Sequence, residues 1–92
     1  MRNAVRRHLV FHGTVQGVGF RYRARYICRS LDLTGWVRNR WDDSVEMEVQ
    51  GRPEDIAEME RQLGRQHFIE ITGLESTDIP VEDFESGFEI VG

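Results

Sequence analysis

Two stretches of the chain alternate apolar and polar residues singly, and two others repeat apolar residues every three or four positions. Between Arg7 and Gly13, Leu9 and Phe11 stand against His8, Val10 and His12, which predicts a strand with one buried face. From Phe20 to Leu31 the apolar residues Phe20, Ala24, Ile27, Cys28 and Leu31 fall on one helical stripe. Thr34 to Arg40 reads as a second strand. Ser44 to Gln50 reads as a third, with Val45, Met47 and Val49 on one face and Glu46, Glu48 and Gln50 on the other. Asn39 to Ser44 is a hairpin turn with Asp42 and Asp43 as its turn residues. Pro53 followed by Glu54 and Asp55 starts a second helix, because proline suits the first helical position and acids suit the positive end of the dipole. Ile56, Met59 and Leu63 give that helix its buried side, and Gly64 ends it. A fourth strand lies within Ile69 to Ile79, with its limits between 64 and 79 left open, and Gly87 to Val91 is a short edge strand.

The predicted order is βαββαβ with a short final strand. That is the ferredoxin-like plan, an α+β two-layer sandwich in which an antiparallel sheet carries two helices on one face. A chain of 92 residues suits one such domain, spanning 1–92, and the absence of repeats or linkers adds no internal boundary.

Composition narrows the function more than the fold. One cysteine, Cys28, rules out an intramolecular disulfide and a cysteine-based metal cluster. No apolar run approaches the ~20 residues that span a bilayer, and the first eight residues carry arginines without an apolar signal core. The expectation is a cytoplasmic protein with no membrane contact. Net charge is −4, but residues 1–46 hold nine arginines against four acids, while 47–92 hold three arginines against twelve acids. The acidic half argues against a general nucleic-acid binder, whereas the basic half leaves room for a local anionic ligand. All twelve basic residues are arginine. A guanidinium fork suits phosphate and carboxylate, although codon bias explains the missing lysine at least as well.

The basic half also holds the stretch richest in candidate chemistry. Gly13-Thr14-Val15-Gln16-Gly17-Val18-Gly19-Phe20-Arg21 joins a strand to a helix. Its glycines let the backbone turn with positive φ, so that successive N–H groups converge on an anion, and the helix start adds further unpaired N–H groups. Arg21 follows in the first helical turn, where its fork can close over a phosphate. Nucleotide motifs do not fit: a Walker A loop needs a lysine, and the dinucleotide fingerprint needs glycine where Tyr22 stands. A loop of this size suits a single phosphoryl group. On composition alone a plain tight connection is the favoured explanation of the glycines. Asn39, at the end of a strand, can cap the turn through its own backbone or hold a water with one donor and one acceptor, and spacing leaves the cap ahead.

The two segments together resemble the acylphosphatase family. Residues 13–21 match every fixed position of Gly-x-Val-Gln-Gly-Val-x-Phe-Arg, and Gly35-Trp36-Val37-Arg38-Asn39, with Val45 and Gly51, match the family's second signature. The resemblance covers essentially the whole chain. It implies hydrolysis of the carboxyl–phosphate bond of small acyl phosphates, with no metal or other cofactor. It assigns phosphoryl binding to the amides of Val15, Gln16, Gly17, Val18, Gly19 and Phe20 and to Arg21, and water positioning to Asn39. One departure is Asp43, where the family usually has glycine; a minor effect on stability is expected there and none on mechanism.

Other residues read as structural. His8 and His12 are expected on the solvated sheet face and His67 on the surface, Cys28 in the core, and Glu82 to Glu85 as a solvated connection. Trp36 and Trp41 are expected to pack and shield the turn, and Tyr22 and Tyr26 to cover the edge of the apolar stripe. A monomer is expected. Two other classes compete with the hydrolase: a non-catalytic ferredoxin-like anion-binding or regulatory module, and a domain that begins a larger carbamoyl-transfer protein. RNA binding would need exposed aromatics on a basic sheet face, and here that face carries glutamates. The sequence ends at Gly92 directly after the last strand with no linker, so a free-standing protein is the expectation.

Overall fold

Residues 3–92 are described by a computed structural model, and they form five strands and two helices. These are β1 (Val5–Thr14), α1 (Phe20–Ser30), β2 (Thr34–Asn39), β3 (Val45–Gly51), α2 (Pro53–Gly64), β4 (Glu70–Ile79) and β5 (Phe88–Ile90). The order is the expected one, and the periodicities explain it. Leu9, Phe11, Val37, Met47 and Val49 line one face of the sheet, and the stripes Phe20-Ala24-Ile27-Cys28 of α1 and Ile56-Met59-Leu63 of α2 close over them in one core. Each large side chain removed from water there contributes about 1.5–3 kcal/mol. Cys28 belongs to this packing; burial pushes its thiol up to about 12, so it is no nucleophile at neutral pH.

The strands lie in the order β4-β1-β3-β2-β5. The first four pair antiparallel, but β5 pairs parallel with β2, Gly35 opposite Phe88 and Val37 opposite Ile90. The sheet is therefore mixed rather than wholly antiparallel. The cause is topological. The chain leaves β4 at one edge, reverses, and returns at the other edge; β4 runs opposite to β2, so a strand reversed from β4 runs with it.

The connection that makes this return, residues 80–87, is solvated over Glu82, Asp83 and Phe84 as expected, but it is also tied down. Arg6 is buried on the open face of the sheet, and its guanidinium donates to Glu85 at 2.8 and 3.1 Å and to Glu48 at 2.9 Å. The Gln50 amide donates to the Glu82 carbonyl at 3.0 Å and accepts from the Glu82 N–H at 2.8 Å. A buried arginine needs such partners, and here they tie the crossing to β1 and β3.

His8 and His12 do lie on the open face, each half-exposed and each bonded to a glutamate at 2.6 Å, Glu46 and Glu75 respectively. Both glutamates are the cross-strand partners of Val10, so the two diagonal pairs fence that valine on either side. Val10 is consequently buried although it points away from the helices.

Candidate active site

Between β1 and α1 the loop is anchored by its apolar residues. Val15 and Phe20 are each 1% exposed, and Val18 packs on the core from outside. Phe20 meets Phe11 of β1 with ring centroids 5.0 Å apart, which fixes where α1 begins. Gly17 and Gly19 adopt φ of 74° and 80°, a region that side-chain-bearing residues enter only at a cost, and a Cβ on either would meet nothing within 4 Å. Those two glycines shape the backbone and leave open space in front of it. Gly13 serves differently from the expectation for the loop as a whole: a Cβ there would stand 2.1 Å from the Glu70 carbonyl oxygen, so it is needed for the approach of β1 to β4.

Gly19 is the N-cap residue of α1. It supplies no capping side chain, and no acidic residue lies in the helix's first turn. Helix-start N–H groups without a side-chain partner are an anion site in waiting. Arg21 stands in that first turn, half-exposed, and its Nη1 donates to the main-chain oxygen of Gly92. That bond engages one of five guanidinium N–H donors.

Asn39 is the last residue of β2. It faces Val45, which faces Phe11, so the three form one row across β2, β3 and β1 on the helix-covered side. Asn39 stands at the β2 end of that row, two strand spacings or about 10 Å from β1. The turn is capped by Asp42 rather than Asn39: the Ser44 N–H donates to Asp42 Oδ1 at 3.1 Å, and the Ser44 hydroxyl donates to the same oxygen. These bonds hold the Asp42 carboxyl below its usual range. Asp43 takes the left-handed conformation, φ 70°, that its place in the turn demands.

Loop and hairpin touch directly. The Gln16 side chain donates from Nε2 to the carbonyl oxygens of Arg40 and Ser44, both at 2.8 Å. Sequence reasoning considered only the main-chain N–H of Gln16. The available signal was a lone amide side chain in a loop otherwise made of glycine and valine.

The aromatic expectations are corrected. Trp41, just beyond Asn39, is 90% exposed and packs against nothing that would shield the turn. It rims a cleft of ≈ 370 Å³ with His8, Arg38, Asn39, Arg40 and Glu46. Only Trp36 is partly buried, with the Arg38 guanidinium 5.8 Å from its ring centre. Tyr22 and Tyr26 stand out from α1 rather than folding over its stripe, Arg25 lying over the first and Arg23 over the second. Among the described residues no three His, Cys, Asp or Glu side chains gather as a metal site, and no helix is long and apolar enough to cross a membrane.

Fold and site together define an α+β sandwich with a glycine-bearing, uncapped strand-to-helix loop at one end of its sheet and an amide-bearing strand end beside a hairpin neck tied to that loop. The chain belongs to the acylphosphatase family, whose model matches residues 7–90. It is 42% identical over 82 residues to an acylphosphatase of Bifidobacterium longum, covering 88% of this chain and 84% of the relative. The solved acylphosphatase of Bacillus subtilis superposes with a TM-score of 0.88 at 28% identity, covering 96% of this chain and 99% of that one. A similar fold, TM-score 0.82 at 31% identity, forms 12% of the much longer Thermococcus kodakarensis HypF chain.

Proposed function

We propose that this chain hydrolyses small acyl phosphates to a carboxylate and inorganic phosphate, as a cytoplasmic monomer of one domain, residues 1–92, without a metal ion. The amides of residues 15–20 and the Arg21 guanidinium bind the three phosphoryl oxygens. Asn39 orients a water, accepting from it through its carbonyl and donating to it through its NH₂. The water oxygen bonds to phosphorus, the bond from phosphorus to the carboxyl oxygen breaks, and the carboxylate leaves with the electron pair. The water's proton passes to solvent. A leaving group with a pKa near 4 needs no proton, so the reaction asks for position and charge stabilisation rather than a general acid. Donors already aimed before substrate arrives supply the second of these.

The observation that carries this reading is the contact of loop and hairpin, in which Gln16 of the phosphate loop bonds the residue directly after Asn39. Separate elements of a sheet end would not need to meet in this way. The test is hydrolysis of benzoyl phosphate by the purified protein in excess EDTA. Turnover that survives the chelator is expected. Binding of phosphate without turnover would leave an anion-binding module instead, and turnover lost to EDTA would remove the metal-free mechanism.

A further inference from the structure

We propose that the Gln16 side chain is a positioning residue that braces the neck of the β2–β3 hairpin and thereby sets where Asn39 stands above the phosphate loop. The inference rests on the function proposed above and deepens it by adding a group that touches no substrate. β2 leaves the ladder at the pair Asn39–Val45. Beyond it the neck is closed by the Arg40 N–H donating to the Ser44 carbonyl at 2.9 Å. Gln16 donates to that same Ser44 carbonyl and to the Arg40 carbonyl, so both walls of the neck hang from one amide. Two carbonyls only accept, so the nitrogen of the amide must face them, and its two N–H groups match them one to one. A glutamate of equal length would instead bring lone pairs against lone pairs.

The turn's other bonds run within it, from Ser44 to Asp42 and from Arg40 to Ser44, and do not tie it to the loop. Trp41, Asp42 and Asp43 are exposed, whereas the base of the brace is firm because Val15, the residue before Gln16, is buried. The link also runs in the needed direction. Gln16 lies in the middle of the loop assigned to the phosphoryl group, so displacing the hairpin displaces Asn39 relative to phosphorus rather than relative to the sheet alone. Misplacement of a reacting group by about 1 Å can cost about 100-fold in rate.

The experiment compares Gln16→Met, which keeps the length and removes both donors, with wild type on benzoyl phosphate. The expected result is a fall in kcat of about 10- to 100-fold, with KM and inhibition by inorganic phosphate nearly unchanged. In an Asn39→Ala background the same substitution is expected to cost little more, since it acts through Asn39. Gln16→Glu is expected to be impaired at neutral pH and to recover toward wild type as acid protonates its carboxyl, which can then donate to one carbonyl. Amide hydrogen exchange at Arg40 reads the brace without any substrate, and it should quicken in Gln16→Met while the central β1–β3 pairs stay protected. A full-sized loss in the Asn39→Ala background, or a collapse of phosphate affinity, would overturn the positioning role in favour of a role in the loop itself. Unchanged kcat with unchanged Arg40 exchange would remove the brace and leave the hydrolase standing. A wild type that hydrolyses nothing would remove the function, and the positioning role with it.

Discussion

The loop 15–20 and the crossing 80–87 are both irregular, both tied down, and opposite in how it is done. The first is held chiefly by carbon: Val15 and Phe20 sit in the core, the Gln16 amide is its side-chain link to the hairpin, and the main-chain N–H groups at the start of α1 keep no side-chain cap. The second is held by charge and hydrogen bonds: Glu85 on Arg6, and Glu82 on Gln50 in both directions. Its apolar residues are left outside, with Val81 exposed and Phe84 wholly so. A loop becomes a binding site through the polar groups its own anchoring leaves unused. By that measure the crossing, though richer in charge, is structural.

Arg21→Ala should break the contrast most severely. Transition-state contacts of this kind carry about 10³- to 10⁴-fold in rate, so kcat/KM for benzoyl phosphate should fall by that order while the thermal midpoint barely moves. A loss of stability equal to the loss of rate would mean that Arg21 is structural. Arg6→Ala should do the reverse. Removing one partner of a buried pair strands the others, and because Glu48 and Glu85 keep some solvent contact the cost is about 2 kcal/mol. Urea unfolding reads that loss, and molecules still folded should turn over normally.

Acid provides a graded version of the same test. Burial alone would push Glu46 and Glu85 up, but hydrogen bonds from His8 and Arg38 to the first, and from Arg6 and Thr34 to the second, hold both below the ordinary 4.5. Each therefore adds stability that is complete above 4.5 and is lost as pH falls through the lower native values. The urea midpoint should decline across that acid range, and more shallowly in Arg6→Ala, where the contribution of Glu85 is already gone. A decline that begins near neutrality would point to other groups. The smallest effect is expected at the turn. Asp43→Gly should relieve the left-handed strain and raise stability by roughly 0.5 kcal/mol, reduced by the freer unfolded chain, with kcat unchanged; destabilisation would show that the aspartate is needed there.

Much of this was legible in the chain. The alternation of Val45, Met47 and Val49, the stripe from Phe20 to Cys28 and the Pro53 helix start each follow from local periodicity or capping, and each appears where expected. The loop and Asn39 were readable as candidates because they fill consecutive positions of two motifs. What stayed hidden depends on partners distant in sequence. The parallel pairing of β5 follows from where the chain re-enters the sheet, which no local pattern encodes. Arg6 looked like one arginine among several until Glu48 and Glu85 were brought to it. Trp41 looked like packing material, since a short periodic window cannot tell that a turn carries it past the edge of the sheet.

The placement of β1 also governs when this site can exist at all. Leu9 lies opposite Met47 on one side and Ser76 on the other, so the strand that leads into the loop is completed only by segments made much later. Such non-local pairing must close long stretches of chain before it gains contacts, which places folding nearer milliseconds to seconds than microseconds. During synthesis the loop 15–20 leaves the ribosome early and waits. Gly13 cannot settle against Glu70 until the fourth strand has been made, and a nascent chain released short of it should carry every residue of both motifs and no working cradle.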